Sequence, residues 1–164
     1  MKSVIATCLM CLLLGYSRAQ EVYSNLPDLF QSHTSVGWDL GMDYASQPSY
    51  RLGYAVTHEK RSCVLGSARS GMAVGLSINP ELNTNGMYVN NWLAIGPLNL
   101  GLKLEYEKSN RLQWMTFQPQ IGLGLQRFRL FYGYNAIIFL SGSTKVPRHV
   151  LGIGYTFSIT EITR

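Results

Sequence analysis

Residues 150–159 read VLGIGYTFSI, and two sequences are interleaved in them. Leu151, Ile153, Tyr155, Phe157 and Ile159 are large and apolar, whereas Gly152, Gly154, Thr156 and Ser158 are small or polar. Such alternation marks a strand with one apolar face, because successive side chains of a strand point to opposite sides. It leaves open which face is wet. In a soluble sheet the large residues look inward to a core; in a membrane barrel they look outward to lipid.

The same period recurs upstream. Trp38, Leu40, Met42 and Tyr44 alternate with Gly37, Asp39, Gly41 and Asp43, and Tyr50, Leu52, Tyr54 and Val56 with Arg51, Gly53, Ala55 and Thr57. Leu98, Leu100, Leu102, Leu104 and Tyr106 alternate with Asn99, Gly101, Lys103, Glu105 and Glu107. Met115, Phe117, Ile121, Leu123 and Leu125 oppose Thr116, Gln118, Gln120, Gly122 and Gly124; Phe128, Leu130, Tyr132 and Tyr134 oppose Arg129, Phe131 and Gly133. In 86–96 both faces mix Asn with apolar residues, so that segment counts as a strand through its neighbours. Eight strands follow, over 36–45, 49–60, 63–78, 86–95, 98–108, 112–126, 128–140 and 149–159, with turn residues such as Asn79-Pro80 and Gly96-Pro97 between them. The expected fold is all-β: a closed antiparallel eight-stranded up-and-down transmembrane β-barrel over 36–164.

The face opposite the large residues decides the orientation. A soluble lipid-carrying barrel would cover its exterior with charge. Here that face is mostly glycine with isolated charges of both signs, which suits a narrow interior where glycine leaves room for long polar neighbours. Asp39, Asp43, Arg51, Lys103, Glu105, Gln118, Gln120 and Arg129 are therefore assigned to a polar network in the lumen. Turned toward hydrocarbon at the midplane, an Arg or Lys would cost about 2–4 kcal/mol. Trp38, Tyr44, Tyr50, Tyr106, Trp114 and Tyr155 are assigned to an outer aromatic girdle.

Residues 1–19 carry Lys2, an apolar run from Val4 to Leu14 and Ser17-Arg18-Ala19, the pattern of a cleavable secretory signal. Residues 20–35 are read as a periplasmic lead-in. Within it SNLPDLFQS, 24–32, places Leu26, Leu29 and Phe30 on one helical face, with a short interfacial helix as the alternative to an irregular segment. Removing Lys2 and Arg18 from the 14 basic residues leaves a surplus of three over the 9 acidic ones, too few and too scattered for a nucleic-acid partner. Cys63 is then the one cysteine left, so no disulfide forms within the mature chain.

Gly152, Tyr155 and Phe157 carry a resemblance. Their spacing is similar to that of the closing strand of small eight-stranded outer-membrane proteins, the OmpX and OmpA transmembrane-domain type. Val150 stands where those families usually have a polar residue, and SITEITR runs on where they usually stop. The resemblance implies that Gly152, Tyr155 and Phe157 form the signal read by the barrel-assembly machinery. It also implies an integral outer-membrane location in a Gram-negative bacterium, among outer-membrane lipid and lipopolysaccharide, with both termini periplasmic.

Catalytic and metal chemistry find little footing. His33, His58 and His149 are widely spaced and lack a nearby acid–nucleophile pair; His33-Thr34-Ser35 resembles the His-x-Ser of lipid A deacylases but precedes the first expected strand. No cofactor or metal set is expected. The sequence reads as a non-enzymatic outer-membrane barrel with a plugged lumen, a structural or accessory subunit of a larger cell-envelope assembly. The alternatives are a lipid A-modifying enzyme and a secreted soluble lipid-binding barrel.

Overall fold

The structure is a computed structural model and describes residues 31–62, 66–109, 113–125, 127–141 and 146–163. The proposed signal, most of the 24–32 segment and Cys63 lie outside the described residues. Among the described residues nine strand segments occur in chain order: β1 Gln31–Tyr44, β2 Pro48–Ser62, β3 Gly66–Asn79, β4 Thr84–Ile95, β5 Leu98–Lys108, β6 Gln113–Leu125, β7 Phe128–Tyr134, β8 Ala136–Ser141 and β9 His149–Thr163. Consecutive strands pair antiparallel from β1 to β6; β6 pairs with both β7 and β8; β7 pairs with β9, and β9 returns to β1. The chain is therefore an eight-stranded closed antiparallel β-barrel in which β7 and β8 form one interrupted stave.

The interruption falls at Asn135, opposite the part of β6 that contains Pro119. Paired residues resume at Gln120–Gly133 on one side and Phe117–Ala136 on the other. Proline brings no N–H to a ladder and is tolerated only where pairing yields. Asn135 turns instead to the loop before β9, donating its N–H to the Arg148 carbonyl at 2.6 Å and its side-chain amide to the Pro147 carbonyl at 2.9 Å.

Closure fixes the tilt. Paired residues followed round the wall run Thr34, His58, Ser70, Leu93, Leu100, Ile121, Tyr132, Leu151 and back to β1 at Tyr44, ten positions from the start. With about 3.3 Å of rise per residue and ~4.8 Å between strands, that stagger tilts the strands by about 40° from the barrel axis. The barrel has two unlike rims. At the far rim lie the turns 45–47 and 80–83, where Asn83 adopts φ 49°, with the ends of β5 and β8 and the starts of β6 and β9. At the terminal rim lie the turn 96–97, the ends of β2, β6 and β9 and the starts of β1, β3 and β7. The two-residue turn at Gly96-Pro97 needs the left-handed φ of 56° that Gly96 supplies, as the first central residue of a tight hairpin does.

Strand boundaries at the terminal rim differ from the sequence reading. β1 begins at Gln31, so residues 31–35, assigned to the lead-in, belong to the barrel wall, and residues 31 and 32 of the proposed helix are strand. β9 continues to Thr163, and a bulge makes this extension. Gly37 pairs with Ser158 but Val36 with Thr160, so Ile159 is an extra residue and the alternation of β9 reverses beyond it. The strand backbones crowd at that point: a Cβ on Gly37 would run into the Phe157 carbonyl. Gly37→Val is expected to cost about 1–3 kcal/mol in urea unfolding. Gly124→Ala, whose Cβ would meet its nearest neighbour, the Asn99 amide, at 3.3 Å, should change stability by less than about 1 kcal/mol.

Candidate functional site: a plugged polar lumen with a cavity at one end

Alternation in the eight staves sorts the side chains by face. Leu52, Leu76, Ile121, Leu123 and Leu151 are each more than half exposed on the outer wall, whereas Asp39, Asp43, Arg51, Lys103, Glu105, Gln118, Gln120 and Arg129 are all buried inside. The eight residues assigned to the lumen therefore share one interior, and they divide into two clusters.

Toward the far rim, Asp43 lies between two cations. It accepts from Arg51 Nη2 at 2.8 Å and from Lys103 Nζ at 2.5 Å, and the same ammonium donates to Glu105 at 2.6 Å. Glu107 accepts a hydrogen bond from Thr84 Oγ1 at 2.6 Å. Toward the terminal rim, Arg129 pairs with Asp39, which also accepts from Tyr88 Oη and Thr156 Oγ1, each at 3.2 Å. The Arg129 guanidinium lies 3.7 Å from the Trp92 ring centroid, a cation–π contact, and Arg51 sits between the rings of Tyr88 and Phe131. Gln120 donates to Gln118 at 3.2 Å between the clusters.

Glycines make room for these groups. A Cβ on Gly41 would strike the Arg51 guanidinium, on Gly71 the Trp92 ring, on Gly133 the Gln118 amide and on Gly152 the Phe131 ring. Each of these four inward side chains thus lies over a glycine of another stave. The result is a filled interior. Tyr88, Trp92 and Phe131 occupy its middle, and Trp114 with Val146 and Val150 closes it toward the far rim.

The aromatic girdle needs one correction. Trp38, Tyr44, Tyr50 and Tyr155 stand exposed on the outer wall and Tyr106 is half-buried there, but Trp114 faces inward and is 4% exposed. Its position in β6 explains this: Trp114 shares a phase with Thr116, Gln118 and Gln120, not with Met115 and Phe117. Of the residues that resemble an assembly signal, Tyr155 and Phe157 project from the outer wall with ring centroids 4.6 Å apart, and Gly152 faces the lumen. Sequence reasoning missed Tyr88, Asn90 and Trp92 as lumen residues, because the 86–95 segment carries no clean alternation. The signal available was the phase of its neighbours: β3 and β5 leave Tyr88, Asn90 and Trp92 on the inner side.

At the terminal rim the filling stops short. A cavity of about 430 Å³ opens there, with Asn99 and Arg129 among its lining residues and Ser35, His33, Arg127 and Glu161 toward its mouth. An ion pair joins Arg127 to Glu161 at 3.1 Å, and Arg69 pairs with Glu59 on the opposite wall. His33 and Ser35 both line this cavity, but the bonds of Ser35 run to Thr57 at 2.6 Å and to Ser158 at 3.2 Å. His58 is bonded to Thr34 at 3.0 Å, and His149 packs between Tyr132 and Tyr134 at the far rim. His33 and His58 thus lie on neighbouring strands but on opposite faces of the wall, and His149 stands at the other rim. Comparison finds no matching family model, no similar characterised protein and no similar solved structure.

Burial sets the energetic importance of the Arg129–Asp39 pair. Removing one member of a buried pair strands the other charge. Arg129→Met is expected to destabilise the barrel by about 3–5 kcal/mol, and the double change Arg129→Met with Asp39→Asn to recover most of that loss, read by urea unfolding.

Proposed function

We propose that the chain is an integral outer-membrane β-barrel of the small OmpX/OmpA-like type, non-enzymatic, with a plugged polar lumen, and that it serves as a structural or accessory subunit of a cell-envelope assembly. One observation carries the membrane reading: an apolar wall runs round the barrel while the charged residues pair within it. Soluble proteins rarely leave apolar patches beyond a few hundred Å² exposed. In hydrocarbon that surface is favourable, and through the middle of the wall the closed ladder pairs the staves with one another, leaving open edge only toward the rims. The shortest full staves, β4 and β5, have 12 and 11 residues. At about 40° of tilt that is roughly 28 Å or more, enough for the ~25 Å apolar band of outer-membrane barrels.

Support for the outer membrane in particular comes from the signal-like start of the chain and from Gly152, Tyr155 and Phe157 at the spacing of a barrel-closing strand. A filled interior argues against conduction, and short turns at 45–47 and 80–83 argue against a large ligand-binding head at the far rim. What remains for such a barrel is contact with other envelope components. For a lipid A-modifying enzyme the substrate would lie in the outer leaflet, at the far rim, yet His33 and Ser35 belong to the terminal one.

The three tryptophans, Trp38, Trp92 and Trp114, test the membrane reading directly. In variants retaining one tryptophan each, brominated acyl chains should quench Trp38 strongly and leave Trp92 and Trp114 bright. Equal quenching of all three, or a mature protein that stays soluble without detergent, would overturn it. For the accessory role, gentle detergent extraction of the tagged protein should recover a stoichiometric companion, with lipid A of unchanged mass in cells with and without the protein. A pure monomer would count against that role.

A further inference from the structure

The terminal rim contains a step. β9 is paired with β7 from His149 to Tyr155, and the Thr156 N–H still reaches the Arg127 carbonyl at 3.0 Å. Beyond that point β7 has given way to its turn, while on the other side β9 stays paired with β1 as far as Thr163. Residues 157–163 thus have a ladder on one side and, among the described residues, no strand on the other. That is about 20 Å of strand edge. Ser158, two residues past Thr156 and before the bulge, directs its N–H to the same open side.

The cavity lies beneath this step. Two of its deepest groups are Asn99 and Arg129, 2% and 4% exposed, and the Asn99 Nδ2 and Arg129 Nε donors have no hydrogen-bond partner among the described residues. Arg127 stands at the mouth beside Glu161, which the β9 bulge brings opposite the cavity-lining Ser35. On the outer side of the step Phe157 and Ile159 are exposed.

We propose that this step is a docking site for an extended segment of another envelope protein. The segment adds as a strand to the open edge of β9, in line with β7, and lowers an acidic side chain into the cavity toward Asn99 and Arg129. A row of backbone donors and acceptors is matched by an extended peptide and not by a lipid tail. The buried donors select the side chain: a carboxylate only accepts, and its bond to a guanidinium is charge-assisted. A second copy of this chain fits poorly. Two barrels in one membrane, related by an axis along its normal, would set their β9 edges parallel and identical residues side by side. In a parallel pair only one of two facing residues turns its bonding groups to the partner, which breaks that symmetry.

This inference rests on the accessory-subunit reading and names the surface through which it works. The test uses the full-length protein in nanodiscs, panned against a random heptapeptide library. Selected peptides should alternate apolar and polar residues around a central Asp or Glu. Ser158→Pro removes the edge N–H without touching the β1 ladder and should weaken their binding by at least about tenfold. Ser158→Ala keeps that N–H and should bind within about twofold of the parent. Exchanging the central acid for Lys should abolish binding, and Asn99→Leu should reduce the preference for acid. Single-Trp38 quenching in the Ser158→Pro background confirms that the barrel still forms. Equal binding by Ser158→Pro and the parent, selection of peptides without an acid, or no selection at all would overturn the proposal. So would a cellular companion that Ser158→Pro retains at the parent level, although the accessory role would survive. Peptide binding without any companion in cells would uphold the docking site and remove the accessory role.

Discussion

Closure of the backbone ladder between β9 and β1 is the constraint from which the other features descend. A sheet of eight staves that meets itself encloses an inside just wide enough for side chains to fill through most of its length. Whatever faces inward must then be packed and paired, and whatever faces outward must suit its surroundings. The stagger of ten positions sets which residues share a level in the lumen, and so which charges meet. Asp43 on β1 reaches Lys103 on β5, 60 residues away in sequence, because both project to the same level of a tilted wall.

Glycine placement is the second consequence. The inward face could not hold Arg51, Trp92, Gln118 and Phe131 if Gly41, Gly71, Gly133 and Gly152 carried side chains. Glycine weakens a strand that stands alone. In a closed wall, where both neighbours fix the backbone, that cost is offset by the burial of a large aromatic or charged group over it. This is why the glycines of the sequence cluster on the face that also carries the charges.

Much of this was legible in the sequence, and the illegible parts have a common cause. Segments 36–44, 98–107 and 151–158 declare their faces because every inward residue is small or polar. The 86–95 segment does not, because its inward residues Tyr88 and Trp92 are as bulky as its outward Met87 and Leu93. Trp114 was misplaced for a related reason: an aromatic near a strand end resembles an interface residue, and only its phase with Thr116 and Gln118 tells otherwise. The division of the seventh stave depends on Pro119, in the neighbouring strand, which no local pattern at Asn135 reveals. Reversal of phase beyond Ser158 comes from an unpaired residue in the β1–β9 ladder, a property of two strands together.

The charged interior also has a role in specifying register. Strand pairing has a period of two, so a slip of one residue would exchange the two faces of a stave. In β5 such a slip would bring Asn99, Lys103, Glu105 and Glu107 to the outer wall and Leu100, Leu102 and Leu104 into the lumen. In the proposed membrane setting each misplaced charge is penalised by hydrocarbon, and Asp43 loses a cation as well. An interior of apolar residues would carry no such penalty, because both faces would then be equally content in lipid. The buried ion pairs add little net stability over a packed apolar filling. Their contribution lies in the difference between the right register and the next one, which for a wall of alternating side chains is the choice that decides whether a barrel forms.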